Sequence, residues 1–169
     1  QALTSNTTGD VNTAVGYKAL YTNVDGDRST AVGSQALYTQ DPASNVDMYN
    51  TAVGYAAGFY LTTGTHNTLI GGLAGDAITT ATWTTVVGTG AGGAITTGVQ
   101  NTFIGGGSGD ATTTGAQNTG VGYASLGVNT TADNNTAVGF NSLDANTTGA
   151  SNTAIGAYSL GANTTASNN

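Results

Sequence analysis

The residues able to do chemistry are few: nine carboxylates, all of them Asp, one His, two cations and no Cys. Without Cys there is no thiolate nucleophile, disulfide or soft metal ligand, and the redox compartment cannot be read. His66 has no Ser, Cys or carboxylate at a motif spacing that would make it a base for a nucleophile. Asp76 and Asp110 are 110 − 76 = 34 residues apart. On a solenoid with half that period they stand two rungs apart, about 9.5 Å, within the spacing of an inverting glycosidase pair. Gly93 between them offers no pocket wall, and Asp is an ordinary corner residue. Asp10 and Asp27 lie on adjacent rungs as a Ca²⁺ candidate, with too few oxygen ligands in view for a complete shell. The expectation is a protein that is not an enzyme and needs no cofactor.

What would position these residues is a repeat. Asn135-Thr136-Ala137-Val138-Gly139 recurs in close copies beginning at residues 12, 29, 50, 67, 84, 101, 118, 135 and 152. Each step is 17 residues except 50 − 29 = 21, so one copy carries a four-residue insertion. Self-similarity at a short fixed period predicts an all-β parallel β-solenoid of 17-residue coils. Residues 1–169 then form a single repeat domain of about ten coils with an insertion at 41–49. Ala2-Leu3 matches Ala19-Leu20 and Asn169 would open another copy, so the chain is expected to be a piece of a longer fibre.

Counting from the Asn, position 2 is always Thr (as Thr136), position 4 always Val or Ile (as Val138) and position 5 always Gly: Gly16, Gly33, Gly54, Gly71, Gly88, Gly105, Gly122, Gly139 and Gly156. Alternating β-branched residues predict a short strand with positions 2 and 4 packed inward, ended by a Gly corner. Position 3 is mainly Ala but becomes Leu69, Val86 and Phe103 in the middle, which reads as a second apolar face for a neighbouring chain to cover. Position 8 is always Ala or Ser and is expected inside. Position 9 is Leu at both ends and Gly in the middle copies, where Leu61, Ile78 and Ile95 appear at position 12 as though in exchange. Asn at positions 1 and 12 would stack at the ~4.8 Å strand spacing into side-chain ladders. The Thr-Thr-Gly and Thr-Thr-Ala runs at positions 13 to 15 read as a second strand. Aromatics at position 6 (Tyr17, Tyr55, Tyr123, Phe140) and position 10 (Tyr21, Tyr38, Phe59) are expected to pack coil to coil or chain to chain. Sequons at Asn6, Asn129, Asn134, Asn146 and Asn163 fall mostly on the position 12 ladder.

Two places break the regularity, and irregularity on a regular scaffold is where binding concentrates. One is the insertion, Asp41 to Tyr49, expected to project as a loop that carries Asp41, Asp47 and Met48; a plain tolerated insertion explains it equally. The other is position 17, which reads Arg28, Tyr49, His66, Trp83, Gln100 and Gln117 on successive coils. Tyr49, His66 and Trp83 would form an aromatic strip suited to a sugar or peptide, unless Trp83 packs on its own corner.

Composition removes other classes. A net charge of −7 with only Lys18 and Arg28 as cations does not match the basic stripe that nucleic acid requires, and equally disfavours an anionic membrane. No apolar run approaches the roughly 20 residues of a membrane span.

Ser29-Thr30-Ala31-Val32-Gly33-Ser34-Gln35-Ala36 resembles the head repeat of trimeric autotransporter adhesins, and the longer run from Asn12 to Asn23 is similar to repeats of bacterial and phage tail-fibre-domain proteins. The resemblance covers essentially the whole chain. It implies a left-handed β-roll wound as a homotrimer, extracellular, on a bacterial surface or a virion fibre, that attaches to a host glycan or protein receptor. No membrane contact by this segment is implied. An ice-binding solenoid, suggested by the unbroken Thr column but opposed by its expected inward direction, and a polysaccharide-cleaving spike are the alternatives.

Overall fold

Three residues of each repeat, Thr-x-Val or Thr-x-Ile, form a strand because two β-branched side chains separated by one residue stand together on one side of an extended backbone. A computed structural model describes residues 1–169, and nine such strands stack in it as one parallel sheet. They are β1 (Thr13–Val15), β3 (Thr30–Val32), β5 (Thr51–Val53), β6 (Thr68–Ile70), β7 (Thr85–Val87), β8 (Thr102–Ile104), β9 (Thr119–Val121), β10 (Thr136–Val138) and β11 (Thr153–Ile155). The register is Thr on Thr and Val or Ile on its equivalent throughout, so each coil contributes one rung of a parallel β-solenoid. A separate two-stranded sheet pairs β2 (Gly26–Asp27) with β4 (Val46–Asp47). There is no helix, hence none long and apolar enough to cross a membrane.

The faces of the strand are the reverse of the expectation from alternation. Position 3 points into the core: Ala31, Ala52, Leu69, Val86, Phe103, Ala137 and Ala154 are completely buried. Positions 2 and 4 point out, with Val53, Ile70 and Ile104 still 37 to 39 % exposed in the middle of the stack. The reason lies in volume. A Cβ on Gly75 would meet the Leu69 side chain at 3.0 Å, one on Gly92 would meet Val86 at 3.2 Å, and one on Gly109 would meet the Phe103 ring at 2.5 Å. Position 9 is therefore Gly where position 3 is large and Leu in most coils where position 3 is small, as in Ala31 with Leu37 or Ala137 with Leu143; Gly58 accompanies the small Ala52 because a Cβ there would meet Leu69 of the next coil at 2.7 Å. The two positions fill one space, and position 12 adds Leu61, Ile78 and Ile95 to the same core.

Only the coils beginning at residues 12 and 29 have a second strand, β2 and β4; every later coil has one strand, not two. The Thr runs at positions 13 to 15 form turns whose order comes from hydroxyls: Thr79 Oγ1 donates to the Thr96 carbonyl at 3.1 Å, and Thr130 Oγ1 to that of Thr147 at 3.2 Å. The Asn ladders are present and internal. Asn118 Nδ2 donates to Asn101 Oδ1 (3.2 Å) and to the Ala132 carbonyl (2.8 Å), while Asn118 Oδ1 accepts the Asn135 backbone N–H (3.0 Å). At position 12, Asn146 Nδ2 donates to Asn129 Oδ1 at 3.2 Å. Both of those sequon residues are fully buried, which removes them as glycan acceptors. Where position 12 changes from Ile95 to Asn129, Thr112 is buried with its hydroxyl unpartnered.

The Gly column closes the strand. Gly88 has φ +137° and a Cβ there would lie 2.6 Å from the Gly105 carbonyl oxygen, so both the dihedral and the next coil demand glycine.

Candidate functional site: the position 17 ridge and the insertion

Position 17 sits on a corner held in the left-handed region whatever its residue: φ is 56° at Arg28, 51° at Tyr49, 60° at His66, 58° at Trp83 and 59° at Gln117. For an aromatic residue this conformation costs on the order of 1 kcal/mol, and it persists because the backbone N–H of each corner is fixed by the preceding coil. His66 N–H donates to the Met48 carbonyl at 2.8 Å and Trp83 N–H to that of Thr65 at 3.1 Å. The corner thus presents side chains outward in register, one per rung.

The result is a continuous stacked ridge. The Arg28 guanidinium carbon lies 5.9 Å from the Tyr49 ring centroid, Tyr49 and His66 are 5.1 Å apart and tilted by 33°, and His66 lies 4.0 Å from Trp83 at 16°. Gln117 Nε2 donates to Gln100 Oε1 at 3.3 Å, carrying the ridge two rungs further. Trp83 is 61 % and Tyr49 47 % exposed, so the stack leaves much of its aromatic surface in solvent. His66 Nδ1 lies 3.0 Å from Thr65 Oγ1.

The insertion contributes to the ridge, but not as a projecting loop. Asp47 takes the Arg28 Nε–H on Oδ1 at 2.6 Å, tying the C-terminal end of the insertion to the coil below, and the Tyr49 hydroxyl on Oδ2 at 3.0 Å. Met48 is completely buried; its N–H donates to the Asp27 carbonyl at 3.1 Å, and a Cβ on Gly26 would meet Met48 Cγ at 3.1 Å and Pro42 Cδ at 3.0 Å. Met48 is therefore a plug in the wall of the coil and not a contact residue. Asp41 also serves the backbone, since Oδ1 accepts the Val24 N–H at 2.9 Å. Only the span from residue 43 to 47 remains an exposed arch. Of the expected contact residues, the structure brings together Asp47, Tyr49, His66 and Trp83, and adds Arg28. Arg28 heads the position 17 column in the sequence, but its pairing with Asp47 is hidden there by the four-residue offset.

Arg28 holds the Asp47 carboxyl below the ordinary carboxylate range, first through their hydrogen bond, with Tyr49 acting in the same direction. A depressed folded value means the clasp is present above the unfolded Asp value and is lost as pH falls through the folded one. We expect the Met48 amide to exchange slowly at neutral pH and to lose protection below about pH 4; Asp47→Asn should show that loss already at neutral pH. Protection that stays flat across both comparisons would show that the clasp does not order the arch.

The other candidates serve the fold. Asp27 Oδ1 accepts the Asp10 backbone N–H at 2.6 Å, the same bond that Asp133 makes to Ala116, so the pair caps a corner and no third acidic or His ligand stands near. Asp76 and Asp110 converge on the gap at Gly93, where a Cβ would lie 3.7 Å and 2.9 Å from their Oδ1 atoms. Burial raises the Asp76 carboxyl above its usual value and Asp110 adds to it.

Comparison with protein-family models, curated proteins and solved structures returned no match. The fold is a parallel β-solenoid of about eight 17-residue coils.

Proposed function

We propose that this chain is a structural and adhesive segment of an extracellular trimeric fibre, on a bacterial surface or a virion, that attaches to a host glycan or protein receptor. The observation that carries this reading is the outer face of the nine-stranded sheet. It consists only of Thr at position 2 and Val or Ile at position 4, without a charge on any rung. A long, flat, uncharged strip with half-exposed branched residues is what a second copy covers, and repetition makes it self-complementary along its length. The threefold count rests on the resemblance to adhesin heads. The ridge from Arg28 to Trp83 stands at one margin of that face and supplies the recognition surface. In sedimentation at micromolar concentration the folded segment should run as a trimer; a folded monomer would exclude the reading.

A second reading has one observation in its favour. The Thr column faces solvent, so the objection that it is internal no longer holds, and a regular Thr array could order water for ice binding. Thermal hysteresis from a monomeric solenoid would establish that reading in place of the first.

For recognition, Trp83→Ala combined with Tyr49→Ala should lower binding to the receptor-bearing surface by at least about tenfold, as loss of aromatic anchors does. Melting should shift little, because both side chains stand largely in solvent and Ala bears the same left-handed strain. Unchanged attachment by a trimeric double variant would move recognition elsewhere on the fibre.

A further inference from the structure

The aromatic columns at position 6 and position 10 run along one flank of the solenoid, and one of them stops abruptly. Phe140 and Tyr123 stack at 5.6 Å and 13°, but the next rung carries Gly106. A Cβ on Gly106 would rest 3.5 Å from Tyr123 Cδ2, so the place of the next ring in the stack has no side chain of its own. Gly107 and Gly127 withdraw the neighbouring side chains as well; a Cβ at Gly107 would meet nothing within 4 Å. The outcome is a groove of about 570 Å³ walled by Tyr123, which is 62 % exposed, and rimmed by Asp110 and Asp144. Its size falls within the range of small-ligand sites.

The same corner near the start of the chain shows what chemistry fits. There position 7 is Lys18, whose ammonium lies 4.9 Å from the Tyr21 ring centroid and 5.5 Å from that of Tyr17. The flank therefore places a cation over its aromatic columns, in the geometry that the negative face of a phenol ring favours. At the groove, position 7 is Gly107 or Ala124, and position 10 brings carboxylates. Neither Asp110 nor Asp144 has a cationic partner, the one ion pair of the chain being Arg28 with Asp47.

We propose that this groove binds the ammonium group of a small organic cation, seated on Tyr123 where the missing side chain of Gly106 leaves room, with Asp110 and Asp144 as its counter-charges. The proposal is independent of the ridge. A neutral ligand would leave both carboxylates without their attraction, and an anion would be repelled by them and by the net charge of −7.

The test is a titration of the assembled protein with choline chloride, followed by calorimetry and by the Tyr123 ring resonances. Saturable binding is expected, weakened at least about tenfold in the Asp110→Asn, Asp144→Asn double variant and by raised salt. Gly106→Tyr should abolish it while leaving the melting temperature unchanged, since Gly106 has no positive φ and three other coils carry Tyr at that position. This second variant keeps the test decisive if the double variant unfolds. The neutral isostere 3,3-dimethylbutanol should not saturate. The assignment is overturned by absence of saturation below about 100 mM choline, by equal binding of the isostere, by undiminished affinity in Gly106→Tyr, or by preferential binding of a methyl pyranoside, which would make the groove a sugar site.

Discussion

Placing Lys at Ile70 and Val87 together should abolish assembly while each chain remains a solenoid. Both side chains stand on the outer sheet face, on adjacent rungs paired in register. Covering a half-exposed Val or Ile contributes about 1 kcal/mol. Nine such positions per chain give roughly 9 kcal/mol before the cost of association, enough to hold copies together only as a continuous strip. Two like charges stacked at ~4.8 Å in the middle of a dry contact would each lose hydration with no counter-ion available, a penalty of several kcal/mol apiece. Neither position touches the internal core, so circular dichroism should keep its β signature while sedimentation falls to the mass of one chain. A double variant that remains trimeric would place the contact between copies on another face. Replacing the same pair by Thr is the control: it keeps the β-branch and the absence of charge, and should retain assembly with reduced stability.

Gly88→Ala, like the same change elsewhere in the Gly column, should be strongly damaging for a substitution that adds one methyl group. The φ of +137° lies where side chains are rarely tolerated, which costs about 3 kcal/mol by itself. The new Cβ also meets the Gly105 carbonyl oxygen at 2.6 Å and its carbon at 2.7 Å, and these are backbone atoms locked in the next rung. Relief requires the two coils to separate, which breaks the hydrogen bond from Gly105 N–H to the Val87 carbonyl. Calorimetry should show a loss on the order of 3 kcal/mol or more, or two transitions as the solenoid divides into two stacks. Gly72→Ala, where a Cβ meets nothing within 4 Å, should be nearly neutral. Equal effects at the two positions would mean that the corner relaxes without cost.

The period, the Gly column and the Asn ladders were legible because each rests on strict recurrence. Recurrence identifies a chemical need without three-dimensional information. The direction of the strand faces was not legible from alternation, since a period of two says which residues share a side and leaves open which side is inward. The deciding information was present in another form. Leu69 with Gly75, Val86 with Gly92 and Phe103 with Gly109, set against Ala31 with Leu37 and Ala154 with Leu160, is a trade of volume that only two residues sharing one cavity would make. The aromatic ridge was legible as a column because one residue per coil on a fixed corner must stack. Met48 was misjudged because the insertion shifts the count, so its equivalence to the half-buried Thr65 and Thr82 at position 16 was concealed.

The coil-to-coil hydrogen bonds, from Thr30 N–H to the Asn50 carbonyl through to Tyr158 N–H to the Phe140 carbonyl, all connect one rung to the next and so run along the stack. A shaft built this way responds to tension from its ends like a zip and not like a rope. Each rung carries the whole load in turn, and coils peel off singly, so yield force is governed by the poorest joint and not by total length. Lengthening the shaft by further copies would extend its reach without strengthening it, whereas winding copies side by side would share the load.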